Sequence, residues 1–310
     1  MDFGGTKLLI GEVDAQGNIL RRKRYPSGCR TEAEAVRVLK DSLKDYMETV
    51  GAEGDIKGAG VGIVGTVDYR NGIWVSMHPK AVSEPIPLSE LLQDILRMPV
   101  WIDNDVKSAT TAEMIFGDGI DSENFIYLNV GTGLAAGFVV DGRILRGSRN
   151  DTGEIGHTVS DLQSEDICIC GRKGCIEGAV SGYGFSKMAH KYGIRRQLSP
   201  QGDLVSVAEL YERAKLGEEI PVQILDYAAK SLSCMIMNLV KTLDPEMIIL
   251  GGGCVRDGYL LEHMRRWLNP DIMCTVIKGI KISKLNPEFI GLLGAAALPI
   301  AVHRQECRMS

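Results

Sequence analysis

The stretch Gly153–Glu177, "GEIGHTVSDLQSEDICICGRKGCIE", places three of the chain's eight cysteines, Cys168, Cys170 and Cys175, within eight residues. Two glycines, Gly171 and Gly174, and two bases, Arg172 and Lys173, sit among them. A cluster this dense reads as a redox pair, a disulfide knot or part of a metal site. What the rest of the chain is decides among the three.

The chain has 310 residues, enough for one large or two medium domains with a substantial core. Its 45% apolar and 24% charged content is ordinary for a globular protein. A formal net charge of −5 gives no general attraction to nucleic acid or to anionic membranes, and neither is expected as a partner. The basic run Arg21–Arg24 is short and reads as the solvated start of a strand. No apolar run of about 18 residues exists, and "MDFGGTK" has no signal-peptide character. A cytoplasmic protein with reduced thiols is the expectation, which weighs against the disulfide knot. Cys29, Cys234, Cys254, Cys274 and Cys307 are scattered without framework spacing.

Outward from the cysteines, the pattern is α/β. "KLLIGEVDAQGNILRRKRYP" predicts two strands around a turn at Asp14–Asn18. A helix follows, with Thr31 as its cap, Glu34 three residues on and Val36, Leu39 and Leu43 as its apolar face. "IKGAGVGIVG" and "VWIDND" read as short buried strands, and "VKSATTAEMIFG" as a helix. "NFIYLNVGTGLAAGFVVDGRILRG" reads as a hairpin. Leu225, Ala228, Leu232, Ile236, Leu239 and Leu243 mark one face of a later helix. "EMIILGGG" is a buried strand, and "FIGLLGAAALPIA" closes the chain as a small-residue helix.

An apolar strand runs into a glycine turn at "FGGTK", "NVGTG" and "LGGGC". Such turns let backbone N–H groups approach an anion, so they point to a phosphate-rich ligand. Generic nucleotide motifs do not account for them. No Gly-Lys dipeptide occurs, which excludes a Walker A loop. Gly60–Gly65 fits G-x-G-x-x-G, but a turn follows it rather than the helix a dinucleotide needs.

These segments resemble, in order and over nearly the whole chain, those of the ROK family of bacterial sugar kinases and sugar-responsive repressors. "DFGGTK" (Asp2–Lys7) resembles its phosphate loop and "IDNDVKSATTAE" (Ile102–Glu113) its N-D-x-x-x-x-A-x-x-E segment. "NVGTGLAAGFVVDGRILRG" resembles its second phosphate hairpin, and "DPEMIILGGG" its adenosine-side strand. "GEIGH" and "CICGRKGCIE" resemble its E-x-G-H and C-x-C-G-x-x-G-C-x-E signatures, the most specific of the set.

The resemblance implies two ribonuclease-H-like α/β domains of the actin/hexokinase ATPase type, flanking a cleft. The first would span residues 1–115 plus a returning C-terminal helix at about 291–310, and the second residues 116–290. It implies ATP-dependent phosphorylation of a hexose or hexosamine hydroxyl, with Asp105 as general base. Asn104, Gly65, Glu154, His157 and Glu177 would hold the sugar. Gly4, Gly5, Thr6 and Lys7, with Gly131, Thr132 and Gly133, would cradle phosphates, and Asp2 would hold Mg²⁺ through water. Gly251, Gly252 and Gly253 would let adenosine lie against the backbone. The cysteine question also resolves. His157, Cys168, Cys170 and Cys175 match the family's zinc ligands one for one, and four protein ligands make a Zn²⁺ structural. C-x-C is too short for the usual C-x-x-C redox pair.

Two departures from the family matter. Asp2 follows Met1 directly, where family members have a full strand, so a longer native chain is expected. His78, Pro79 and Lys80 stand roughly where glucose-specific members carry an Asn-Leu segment, which leaves the sugar open among N-acetylmannosamine, allose, fructose and other hexoses. The family's regulators carry a winged helix ahead of the phosphate loop. None stands before Asp2, so a kinase is expected over a regulator, with a non-catalytic sugar-binding or regulatory protein as the alternative. The family also suggests a homodimer.

Overall fold

The computed structural model describes residues 1–77, 84–194 and 205–309. A two-residue strand, β1 (Asp2–Phe3), turns into the antiparallel β2 (Lys7–Val13). The Asp14 carboxylate accepts from the Gln16 and Asn18 N–H groups and closes the predicted turn into β3 (Ile19–Pro26). α1 (Glu32–Thr49) begins at the predicted cap, where the Thr31 hydroxyl accepts from the Glu34 N–H and Ala35, Leu39 and Leu43 face inward. Next come β4 (Ala59–Ile63), β5 (Thr66–Asp68), β6 (Ile73–Ser76), α2 (Leu88–Leu96), β7 (Val100–Asn104) and α3 (Asp105–Ile115). The predicted hairpin is β8 (Phe125–Val130) and β9 (Leu134–Val140). Asp141 and Gly142, at φ 50° and 69°, then turn the chain into β10 (Arg143–Ile144). After the cysteine loop come α4 (Gly182–Lys191), α5 (Val207–Lys215), α6 (Glu219–Leu243), β11 (Met247–Gly251), α7 (Tyr259–Met264), α8 (Pro270–Met273), β12 (Ile280–Ile282) and α9 (Ile290–Met309).

The chain divides into two units. The first holds Met1–Asp121, Ile144–Thr152 and Lys284–Ser310; the second holds Ser122–Arg143 and Gly153–Ser283. The single block expected over residues 116–290 is therefore interrupted. Ile144–Thr152 belongs with the first unit because Arg146 and Asn150 bond to Asp103 there.

Each unit is built on one five-stranded sheet, and the two sheets share one topology. In the first the order is β3-β2-β1-β4-β7, in the second β10-β9-β8-β11-β12. In both, an antiparallel strand follows the central strand, and two parallel strands lie on its other side. The first core gathers Phe3, Leu8, Ile10, Leu39, Val61, Trp74 and Leu92. The second gathers Ile126, Leu128, Phe185, Leu225, Leu232, Ile248 and Leu250.

The glycines of "GVGIVG" serve packing. A Cβ on Gly60 would lie 1.8 Å from the Ala295 carbonyl oxygen of α9, and one on Gly62 would lie 3.2 Å from Ser108 of α3. Gly294 answers from α9: its Cβ would meet the Ser108 carbonyl at 2.3 Å. The basic run is absorbed on the edge strand β3. Arg21 pairs with Glu53, Lys23 with Asp45 and Arg24 with Glu288, while the Arg22 guanidinium lies 4.3 Å over the Phe289 ring. Charge along an exposed edge also blocks pairing with another sheet.

Candidate active site

In the first unit the register brings the implied residues to one edge. Asp2 pairs with Gly62 and Gly62 with Asp103; one step on, Phe3, Ile63 and Asn104 align. The Gly4–Thr6 turn, Gly65 and Asp105 therefore leave the carboxyl edge of three parallel strands, where α/β sheets bind their ligands. The turn is closed by the Gly4 N–H on the Lys7 carbonyl (2.9 Å), and the Ser27 hydroxyl donates to the Gly4 carbonyl (2.9 Å). Gly5 and Thr6 are exposed. The Lys7 ammonium donates to the Glu288 carbonyl at 3.1 Å.

Asp105 opens α3 and is half-buried. Its Oδ1 accepts from the Val106 N–H at 2.9 Å. Asn104 is the helix cap: its side-chain oxygen accepts from the Val106 and Lys107 N–H groups at 3.0 and 3.3 Å, and its amide donates to the Gly65 carbonyl at 3.1 Å. Gly65 has φ 102°, and a Cβ there would lie 2.1 Å from the Ser76 carbonyl, so only glycine fits. Asp2 is 8% exposed and packs against the first turn of α9, where a Cβ on Gly291 would lie 2.4 Å from its carboxyl carbon. Burial pushes its pKa above the usual carboxylate range, with Lys7 pulling the other way.

In the second unit, Gly251 pairs with Asn129, so the turns after β8 and β11 lie side by side. The carbonyls of Gly131 and Thr132 accept from Gly182 and Tyr183 at the start of α4. The Cys254 N–H donates to the Val130 carbonyl at 3.0 Å. Gly251 and Gly252 are required by packing: their Cβ atoms would meet the Tyr127 hydroxyl at 2.3 Å and the Val130 carbonyl at 2.4 Å. Gly253 has open space around it. One Glu177 carboxylate oxygen accepts from the Leu134 N–H at 3.2 Å, tying the cysteine loop to the β8–β9 turn. Glu154 is exposed and precedes the short turn Ile155–His157.

The cysteine loop is a pair of small turns. Cys168 N–H donates to the Arg172 carbonyl, Gly171 N–H to the Cys168 carbonyl, and Val159 bridges Cys175. His157 Nδ1 lies 3.4 Å from Cys168 Sγ, and Cys170 Sγ lies 3.6 Å from Cys175 Sγ. All four donor atoms fall within 4.8 Å of one another. A tetrahedral ion with arms of about 2.3 Å sets its sulfurs about 3.8 Å apart, so the set fits a cation of that size. Burial, then the hydrogen bond with Cys170, pushes the Cys175 thiol up to about 12. The Arg172 backbone N–H draws Cys170 down. A buried thiol beside a thiolate-favouring one is an arrangement that a cation stabilises.

The sequence reading missed Arg146 and Asn150, which bond to Asp103 just before α3, and Lys107 of α3, which is buried and whose ammonium donates to the Thr152 carbonyl at 3.0 Å. Asp103, on β7 two residues before Asp105, is 1% exposed and accepts from Asn150, from the Asn104 N–H and from Arg146. His78, Pro79 and Lys80, expected at the sugar-specificity position, lie outside the described residues. A cavity of about 770 Å³ in the first unit is lined mainly by apolar groups including Ile10, Leu43, Leu292 and Pro299. It contains none of the implied site residues, and its lining does not suit a sugar.

The profile of the ROK family matches residues 1–301. The chain belongs to the ROK family. This ROK chain is 31% identical over 254 residues to the xylose repressor of Caldicellulosiruptor bescii, a match covering 79% of the chain and 63% of the repressor. It thus spans less than two thirds of that relative's length. It is 28% identical over 304 residues to the N-acetylmannosamine kinase of Citrobacter koseri, covering 96% of the chain and 97% of the kinase. Among solved structures, the ROK hexokinase from Thermus thermophilus aligns over 98% of both chains with a TM-score of 0.76 at 26% identity. The fold is the actin/hexokinase-like two-domain fold of the ROK sugar kinases. Among the described residues no helix is long and apolar enough to cross a membrane.

Proposed function

We propose that this ROK chain transfers the γ-phosphoryl group of ATP to a hydroxyl of a hexose or hexosamine. The observation that carries the reading is Asp105. Its carboxylate opens a helix at the carboxyl edge of the sheet, beside the backbone turns of Gly4–Thr6 and Gly65. The kinase name of a relative matched over nearly its full length supports the reaction class.

Asp105 takes the proton of the sugar hydroxyl as the new oxygen–phosphorus bond forms and the bridging oxygen leaves with ADP. Asn104 spends its carbonyl on the helix cap, so what it offers the sugar is an amide hydrogen rather than a donor–acceptor pair. Glu154, His157 and Glu177 hold the other hydroxyls. The turns Gly4–Lys7 and Gly131–Gly133 receive the phosphates, and Gly251–Gly253 faces the adenosine.

Among the described residues no hydrogen bond reaches the Asp2 carboxylate, and a desolvated carboxylate without donors suits a hydrated Mg²⁺. His157, Cys168, Cys170 and Cys175 would hold Zn²⁺, whose charge keeps the thiolates together and fixes the loop that ends at Glu177. Four protein donors leave no position open for water, so its role is structural.

The test is ADP release by the purified chain with MgATP and a panel of glucose, N-acetylmannosamine, allose and fructose. A second reading, a sugar sensor without phosphoryl transfer, is favoured by the repressor relative. Sugar binding by calorimetry without ADP release from any member of the panel would establish it and end the kinase reading.

A further inference from the structure

Two carboxylates flank Asn104: Asp103 on β7 and Asp105, the first residue of α3. Their surroundings differ: Asp105 is half-buried and accepts from the Val106 N–H at 2.9 Å, whereas Asp103 is enclosed. Asp103 is 1% exposed, and three donors converge on it. The Asn104 N–H donates to Oδ1 at 2.8 Å and the Asn150 amide to the same oxygen at 3.1 Å; the Arg146 guanidinium forms an ion pair with Oδ2.

Each donor is itself held. The Arg146 side chain is 20% exposed, and its guanidinium lies 4.0 Å over the Tyr69 ring while also donating to the Asn150 side-chain oxygen. Asn150 is buried with φ 58°, a left-handed conformation that asparagine tolerates, and its amide also donates to the Val67 carbonyl at 3.0 Å. Asn104 caps α3 and bonds Gly65. A buried carboxylate thus takes hold of the backbone of the residue that sets the start of α3, and so of Asp105, the first residue of that helix.

We propose that Arg146 is a positioning residue for phosphoryl transfer, acting through Asp103 on Asn104 and Asp105. It rests on the kinase reading above. Removing Arg146 leaves a buried, uncompensated carboxylate, which must draw in water or a proton. The Asn104 N–H then loses a fixed acceptor, and the junction of β7 and α3 loosens by a fraction of an ångström or more. Because misplacement of a reacting group by about 1 Å costs on the order of a hundredfold, the effect falls on turnover. Asp103 is no general base: it is 1% exposed, and both of its carboxylate oxygens accept from protein donors.

The experiment is steady-state kinetics with MgATP and the panel sugar that the parent phosphorylates best, on Arg146→Met, Arg146→Lys, Asp103→Asn and the double variant Asp103→Asn with Arg146→Met. Urea unfolding of each sets an assay temperature at which all are folded. Arg146→Met is expected to lower kcat about ten- to a hundredfold while the ATP KM stays within about twofold. The double variant should regain most of that loss. It removes the buried charge, yet asparagine still presents an oxygen to the Asn104 N–H. Arg146→Lys should fall between the two, because it keeps the charge and loses the planar fork. A kcat for Arg146→Met within about threefold of the parent, with only stability lowered, overturns the proposal and leaves the kinase reading standing. A double variant no faster than Arg146→Met also overturns it. A parent that releases no ADP with any sugar removes the kinase reading and this proposal together.

Discussion

Alanine substitution at chosen glycines separates ligand-binding turns from packing, because the structure assigns the two kinds of glycine different surroundings. At Gly60 a Cβ would lie 1.8 Å from the Ala295 carbonyl oxygen. Restoring a separation of roughly 3.2 Å means moving β4 and α9 apart by about 1.4 Å, backbone against backbone, with no flexible side chain to yield. Overpacking of that kind costs about 3 kcal/mol, the upper part of the usual range. In a unit of about 150 residues this lowers Tm by about 6–12 °C. Gly5 and Gly253 have no atom within 4 Å of the added Cβ and no positive φ. Alanine there should leave stability within about 0.5 kcal/mol of the parent. A methyl group standing where backbone meets phosphate or adenosine should instead raise the ATP KM about tenfold, or about 1.4 kcal/mol. Urea and thermal unfolding without nucleotide measure the first quantity, and ADP release at varied ATP measures the second. If Gly5→Ala and Gly253→Ala keep the parent's ATP KM, the glycine turns are not a nucleotide cradle. If Gly60→Ala is as stable as the parent, the close approach of α9 to β4 is wrong.

Asp105→Asn should preserve sugar affinity by calorimetry while lowering kcat by about 10²–10⁴, and parental turnover would remove Asp105 from the mechanism. Elemental analysis should find one zinc per chain. Cys170→Ser should lose it, lower the unfolding midpoint and weaken sugar binding; full alkylation of Cys168, Cys170 and Cys175 in the native protein would contradict this. Burial raises the Asp2 pKa in the folded state above its unfolded value, so its contribution to stability is greatest below the unfolded pKa and is lost as pH rises through the folded one. Asp2→Asn should therefore make the nucleotide-free protein no less stable than the parent at pH 7, with its advantage shrinking toward pH 4. MgATP-dependent turnover should fall by about 10²–10³. A variant with parental turnover would show that Asp2 does not serve the metal.

Local signals were legible in the sequence. The Thr31 cap and the Asp14–Asn18 turn each depend on residues a few positions apart. The glycine turns were legible as turns, but their two purposes were not. Gly251 and Gly252 answer to Tyr127 and Val130, more than a hundred residues earlier, and Gly60 answers to Ala295. The shared strand order of the two sheets left no repeat in the sequence, because sheet topology constrains burial pattern and turn position far more than residue identity. The Arg146–Asp103 pair was invisible for the same reason: a single ion pair between residues 43 apart has no periodicity. Asn104 shows the limit of chemical reasoning from residue type alone. Its side chain can donate and accept, and the helix it caps has claimed the acceptor.

The last helix has a consequence for how the protein is made. Gly60, Gly62 and Ser108 lie under α9, so the face of the first sheet that they line stays uncovered until residues 284–310 have been synthesised. At roughly 5–20 residues per second, some ten to thirty seconds separate the emergence of α3 from that of α9. The second unit, whose longest segment is the unbroken run Gly153–Ser283, has all of its residues before then. The half of the protein that leaves the ribosome first is thus the half that matures last, and it waits through synthesis with an apolar surface that a chaperone can recognise.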